Sequence, residues 1–101
     1  SRGLGDVYKR QDEILRTVIA RGRGIELNTG GFHYGLGEPN PCRAVIRRYR
    51  ELGGEIITVG ADAHGPEKIA YDFDKAAAIL ADCGFKYYTV FQNRKPEFVK
   101  L

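Results

Sequence analysis

The chain of 101 residues has the length of one domain and contains no Trp, no Met and two Cys. Hydrophobic residues make up 43% and charged residues 29%, a balance that argues against a disordered, fibrous or disulfide-stabilised protein. The apolar run Ala76–Ala81 is far shorter than the roughly 18 apolar residues of a membrane span, so no membrane partner is expected.

Residues 1–11 differ from the rest of the chain because they show neither an apolar period nor a capping pattern. Asp6–Gln11, DVYKRQ, resembles the translated end of a transposase-based sequencing adapter; a natural basic tail is the alternative. We therefore expect 1–11 to be a non-native tail and 12–101 to fold. The tail holds three basic residues and one acidic residue, so 12–101 keeps a net charge of only +1 of the chain's +3. With both signs interspersed, no nucleic-acid partner is expected.

Hydrophobic periodicity predicts alternating helices and strands after residue 11. The first predicted helix, 12–21, has its apolar stripe at Ile14, Leu15, Val18 and Ile19. The second starts near Pro41, and its predicted buried face is Val45, Ile46, Tyr49 and Leu52. The third, 73–82, has Asp72 as its expected cap and an apolar stripe at Phe73, Ala76, Ala77 and Leu80. Each helix is followed by a glycine, at Gly22, Gly53 and Gly84.

Short β-branched or alternating runs predict strands between these helices. The predicted strands are Ile25–Asn28, Ile56–Val59 and Tyr87–Phe91, followed by a last extended piece, Glu97–Leu101. A long loop rich in Gly and Pro, 29–41, separates the first strand from the second helix. Alternation of strands and helices predicts an α/β fold with a parallel sheet and right-handed connections.

Polar residues follow the strands where parallel α/β folds gather their ligands. They are Asn28 and Thr29, Asp62 and His64, and the segment Gln92–Arg94. In Asp62-x-His64, a carboxylate and an imidazole can both reach one divalent metal ion. The pattern alone leaves open that Asp62 caps a turn and that His64 is a solvated loop residue.

Three other features do not indicate a separate activity. Cys42 and Cys83 have neither a metal-ligand nor a redox spacing and are expected as reduced thiols of a cytoplasmic protein. The glycine-rich segment 30–37 matches neither the phosphate-binding loop nor the dinucleotide fingerprint. Three arginines, Arg47, Arg48 and Arg50, are expected on the solvated face of the second helix.

Several segments, taken in order and at their spacings, resemble one known family. They are GIELNTG at 24–30, GLGEPNP at 35–41, RYRELGG at 48–54, ITVGADAH at 57–64 and TVFQNRKP at 89–96. They resemble the carboxy-terminal part of histidinol phosphatases of the PHP (polymerase and histidinol phosphatase) family, over nearly all of 12–101. The resemblance implies the last three β/α units of a distorted (β/α)7 barrel with parallel strands. It also implies hydrolysis of L-histidinol phosphate to L-histidinol and phosphate in histidine biosynthesis.

The resemblance implies a metal centre. In the family, the strand-end Asp-x-His is the last metal-binding motif, so Asp62 and His64 are expected to be catalytic as ligands of two or three divalent ions, Zn, Mn or Fe. The remaining family ligands come from earlier strands, the amino-terminal part of the barrel, which this chain lacks. The isolated chain is therefore expected to be inactive.

Substrate contacts are also implied, at four positions. The family commonly has Arg where His33 stands; a neutral His donates one hydrogen bond to phosphate where Arg offers a bidentate fork. Asn28 and Thr29 are expected as substrate-binding or loop-setting residues, and Arg94 as a further substrate contact. Two alternatives stay open, a PHP phosphoesterase acting on another phosphate ester and a non-catalytic α/β module.

Overall fold

The computed structural model describes residues 2–30, 38–60 and 66–101. Its helices are α1 (Arg2–Ala20), α2 (Arg43–Glu51) and α3 (Pro66–Asp82). Its strands are β1 (Ile25–Asn28), β2 (Ile57–Gly60), β3 (Tyr87–Gln92) and β4 (Lys95–Lys100). The predicted α/β class is confirmed. Within these ranges no helix combines the length and apolar character that crossing a membrane requires.

Strands β1 and β2 form a parallel pair in which Ile25 aligns with Ile57 and Asn28 with Gly60. Side chains alternate between the two faces of a strand, so odd-numbered residues share one face and even-numbered residues the other. The odd face is apolar, and Leu27 and Ile57 on it are completely buried. The even face is polar and is formed by Glu26, Asn28, Thr58 and Gly60.

The third strand departs from the predicted parallel sheet. In the described residues, β3 pairs with β4 in an antiparallel sheet of two strands. The β1–β2 pair forms a separate sheet. A side chain joins the two: the Ile57 N–H donates to Thr89 Oγ1 over 3.1 Å, in a buried position. The described residues therefore contain one parallel strand pair, and the barrel segment stays a prediction.

The turn Asn93–Arg94 explains why the chain folds back on β3. Both residues have positive φ angles, 51° and 66°, as two-residue hairpin turns that match strand twist require. Strand β4 is exposed along its whole length. Pro96 lacks a backbone donor and lysines stand at both ends of β4, features that protect an edge strand from pairing with another chain.

Helix α1 begins much earlier than predicted, at Arg2 instead of about residue 12. Lys, Arg, Gln and Glu in 9–13 are good helix formers, which accounts for helix ahead of residue 12. Residues 5–10 are exposed, and Ile14, expected on the buried stripe, is 59% exposed. Packing begins at Gln11 and Asp12; the foreign origin of 1–11 stays a prediction.

Helix α2 lies where the sequence predicts it, with Ile46 and Tyr49 buried and Val45 and Leu52 packed against the core. The helix begins at Arg43, two residues after the expected start near Pro41. Cys42 is the N-cap, and its carbonyl accepts the Val45 and Ile46 N–H groups, so Pro41 precedes the helix.

The arginines of α2 have intramolecular partners. Arg47 pairs with Asp82 at 2.9 Å, and Arg48 forms a bidentate bond to Asp12, with N···O distances of 2.9 and 2.7 Å. These bonds hold the pKa of Asp12 below its usual value. Arg50 donates to the carbonyls of Gly54 and Gly84. Arg48 and Arg50, expected in water, are therefore only partly exposed.

The prediction that Asp72 caps the third helix is wrong. The helix begins at Pro66, a residue whose fixed φ suits the first helical position, so Asp72 lies inside it and is not a cap. Asp72 is fully buried, in line with Ala76 and Leu80 on the inward face. The three predicted helix-ending glycines, Gly22, Gly53 and Gly84, all have positive φ and are confirmed.

One hydrophobic core connects the helices with the strands. Its buried members are Leu15, Leu27, Ile46, Tyr49, Ile57, Ala76, Ile79, Leu80, Cys83 and Phe85. Tyr49 stacks near Phe85 with 6.3 Å between ring centroids, and its hydroxyl donates to the Ile56 carbonyl over 2.7 Å. The apolar face of β1 and β2 thus packs on the helices, and the polar face points the other way.

Replacing Thr89 by Val tests the link between β2 and β3. The change keeps the side-chain shape but leaves the buried Ile57 N–H without its acceptor, so we expect a loss of about 1–3 kcal/mol in the free energy of unfolding. Urea titration followed by circular dichroism measures it. Thr89→Ser keeps the hydroxyl and is the control; equal stability of Thr89→Val and wild type would contradict the assignment.

The two thiols should differ in reactivity. Cys42 is exposed, whereas Cys83 is buried and its burial raises the pKa of the thiol, so less reactive thiolate is present at neutral pH. We expect iodoacetamide to modify Cys42 rapidly and Cys83 only after unfolding in urea. Mass spectrometry of timed samples measures this, and equal rates for both thiols in the folded chain would refute it.

Candidate functional site

The carboxyl end of the β1–β2 pair is the described part of the predicted site. Thr29, which directly follows β1, is fully buried and donates twice to the carbonyl of Gly60, from its N–H over 3.0 Å and from Oγ1 over 3.3 Å. Its hydroxyl therefore fixes the ends of both strands relative to each other. This position fits the loop-setting role expected for Thr29; a substrate contact there stays a prediction.

Asn28 fixes the start of the glycine-rich segment. Its Oδ1 accepts the Gly30 N–H over 2.7 Å, and its backbone forms a two-way bridge to Asn40, with N···O distances of 2.8 and 3.0 Å. The two ends of segment 30–40 are thereby held beside the last residue of β1. Asn28, like Thr29, lies where it orients a loop.

Glu26 is a polar residue of this end that the sequence did not single out. Its side chain lies diagonally across the pair against Gly60: a methyl group on Gly60 would be 2.8 Å from Glu26 Cδ and would collide with Oε1. Glycine at position 60 leaves room for the carboxylate. The sequence pattern that could have indicated Glu26 is the alternation of side chains along a strand. By this alternation, Glu26 lies on the same face as Asn28 and as Thr58 and Gly60 of β2.

Asp62, His64 and His33 lie outside the described residues, so their predicted roles stay predictions. Asp62 follows Gly60 by two positions, which limits the span between their Cα atoms to about 7 Å. Within the described ranges, no group of three or more His, Cys, Asp or Glu side chains could hold a metal ion.

Arg94 lies in the turn between β3 and β4, with its positive φ of 66°. A cleft of about 320 Å³ opens elsewhere and is lined by Arg50, Glu55, Phe85, Lys86, Tyr87 and Phe98. None of the predicted site residues is among these lining residues. The described structure brings together Asn28, Thr29 and Glu26 at Gly60. A substrate contact of Arg94 stays a prediction.

The described residues form an α/β chain in which hydrogen bonds hold the polar carboxyl ends of β1 and β2 together. Several known proteins are similar to this chain in sequence. A probable histidinol-phosphatase of Thermotoga maritima is 31% identical over 90 residues, which cover 89% of this chain and 38% of that protein. A probable histidinol-phosphatase of Clostridium acetobutylicum is 30% identical, over 81% of this chain and 34% of its own length. The histidinol-phosphatase of Lactococcus lactis is 29% identical, over 82% and 30%.

The chain therefore spans about a third of the length of the curated relatives it matches. No protein-family model matches the sequence. The relatives agree with one another in the activity that their names give, and the similarity reaches across most of this chain.

Replacing Gly60 by Ala tests the contact with Glu26. The neighbour that must give way is the end of an exposed, flexible side chain, so we expect the free energy of unfolding to change by less than about 1 kcal/mol. Gly24→Ala is the matched control, because there a methyl group would meet the Ile56 backbone and should cost about 1–3 kcal/mol. Urea unfolding compares the two, and a larger loss for Gly60→Ala would be inconsistent with the described packing.

Proposed function

We propose that this chain is a segment of a metal-dependent phosphomonoester hydrolase, a histidinol phosphatase of the PHP family. The reaction is hydrolysis of L-histidinol phosphate to L-histidinol and phosphate, in cytoplasmic histidine biosynthesis. The observation that carries the proposal is the similarity, across 80–89% of the chain, to four proteins named histidinol-phosphatase or probable histidinol-phosphatase. The partner that completes the site is the remaining, amino-terminal part of the same barrel.

The parallel β1–β2 pair supports this proposal physically. Strand ends that meet at one edge bring residues distant in sequence to a common centre, as the loops at the carboxyl ends of α/β enzymes do. Here Thr29 and Gly60 join those ends by two hydrogen bonds, and Asn28 is bonded to Gly30 and to Asn40. A phosphate ester bound at this edge would meet groups fixed to a rigid support.

Asp62 and His64 would hold the divalent ions, since a carboxylate oxygen and a neutral imidazole nitrogen are donors that Zn, Mn and Fe accept. When bound, such ions polarise phosphoryl oxygens and make a water molecule nucleophilic near neutral pH. His33 would donate a hydrogen bond to a phosphate oxygen and orient the ester. Asn28 and Thr29 would keep the segment around His33 in place.

Phosphate release from L-histidinol phosphate by the longer protein that contains this segment tests the proposal. We expect turnover by that protein and none by the 101-residue chain, in which most of the ligands are missing. His64→Ala should lower kcat/KM by about 100-fold or more, because a metal contributes several kcal/mol to the transition state. Arg47→Ala, which removes a solvent-exposed ion pair with Asp82, is the matched control and should retain activity.

Three outcomes would count against the proposal. Turnover of other phosphate esters but not of L-histidinol phosphate would indicate a different phosphoesterase. No turnover of any ester by the longer protein would favour a non-catalytic α/β module. Full metal content and activity in His64→Ala would remove His64 from the ligand set.

A further inference from the structure

Helix α2 covers one flank of helix α1, and the opposite flank of α1 is exposed. Asp12 accepts two hydrogen bonds from Arg48, so α2 lies beside that side of α1. Ile14 is two residues further along and therefore lies about 160° away around the helix axis. Its side chain is 59% exposed, whereas the neighbouring Leu15 is buried in the core. In the part of the chain that the structure describes, α1 thus packs on one side only.

The exposed flank of α1 is formed by Ile14, Thr17 and Val18. Val18 packs partly against the core, and Ile14 lies one turn before it on the same side of the helix. Thr17 Oγ1 donates to the Glu13 carbonyl over 2.8 Å, so the hydroxyl is satisfied within the helix and the methyl group is left for contacts. A groove of about 350 Å³ lies along the three residues and is also lined by Glu13 and Arg10. The flank therefore offers a continuous apolar groove and not one isolated side chain.

Strand β1 is open at one edge as well. Ile25 and Thr29 donate their N–H groups toward β2, so Glu26 between them directs its backbone groups toward the other edge. Within the described ranges, that edge carries one isolated bridge, from Asn28 to Asn40, and no paired strand. Helix and strand are therefore both open on the side away from α2 and β2.

The length of the relatives indicates what covers this side. The Thermotoga maritima protein aligns with 89% of this chain, but the alignment spans only 38% of that protein. More than half of the relative is therefore additional chain. In layered α/β folds, a helix and a strand that follow one another are continued on each side by the next helix and the next strand. An apolar helix flank and an open strand edge on one side are the surfaces that such additional chain would extend.

We propose that the exposed flank of α1 is the surface on which the amino-terminal part of the longer protein packs, through a helix with aliphatic side chains. The proposal rests on the proposed function, which makes this chain a segment of a longer barrel, and it adds the location of the interface. Packed helices insert ridges of side chains into grooves. Thr17, smaller than Ile14 and placed beside it, leaves space for such a ridge. Arg10 takes no part, because 1–11 is the predicted non-native tail.

Thiol accessibility compared in two proteins tests the proposal. Ile14→Cys is introduced into the 101-residue chain and into the longer protein that contains this segment, and Ala20→Cys, at another exposed position of α1, is the matched control. Both are labelled with iodoacetamide, and peptide mass spectrometry separates the new thiol from Cys42 and Cys83. We expect position 14 to react about 10-fold or more slowly in the longer protein than in the short chain, because a packed thiol reacts only after local opening. Position 20 should react equally fast in both.

A carboxylate at position 14 gives a second readout. Ile14→Asp should lower the urea midpoint of the longer protein, where the charge would be buried at the interface. It should change the midpoint of the 101-residue chain little, because the Ile14 side chain is mostly in water there. Ala20→Asp places the same charge on α1 and should affect both proteins equally.

Equal labelling rates for Ile14→Cys in the two proteins would overturn the proposal. Slow labelling in the 101-residue chain that becomes faster on dilution would also overturn it, and would show that a second copy of this chain occupies the flank. Turnover of L-histidinol phosphate separates the interface from the proposed function. A longer protein that is active but reacts rapidly at position 14 refutes the interface alone, whereas protection of position 14 in a protein that hydrolyses no ester refutes the function alone.

Discussion

The parallel register of β1 and β2 is the constraint on which the rest of the structure depends. Because Leu27 and Ile57 both point into the core, the two-residue period of a strand forces their even-numbered neighbours onto the opposite face. A slip of one residue would place Glu26 in the core, where an unpaired carboxylate is very costly. Thr29 then fixes the strand ends through two bonds to Gly60. Packing on one face therefore determines which polar groups meet on the other.

The hairpin β3–β4 limits how far this parallel arrangement extends in the described residues. Asn93 and Arg94 adopt positive φ angles that return the chain alongside β3, and the connection to β2 is a side-chain bond from Thr89. Order of elements alone could not predict this return. A turn of Asn followed by Arg lacks the glycine that usually marks a two-residue hairpin.

Much of the fold followed from local pattern: α2, the β1–β2 pair and the three glycine helix ends are where periodicity and glycine conformation place them. Predictions failed where tertiary context decides. Asp72 has the residue type of a cap, yet Pro66 starts the helix a turn and a half earlier and leaves Asp72 buried. At the carboxyl end of the β1–β2 pair, the sequence singled out Asn28 and Thr29. It missed Glu26, whose proximity to Gly60 depends on strand register, a property that no single segment encodes.

We propose that the carboxyl end of the β1–β2 pair carries a metal and phosphate site of a histidinol phosphatase. Anomalous diffraction from crystals of the longer protein, grown with Mn²⁺ and inorganic phosphate, tests it most directly. We expect anomalous peaks at Asp62 and His64, which follow Gly60 in the sequence, with phosphate bound beside them. Metal peaks located elsewhere, with Asp62 and His64 free of metal, would contradict it.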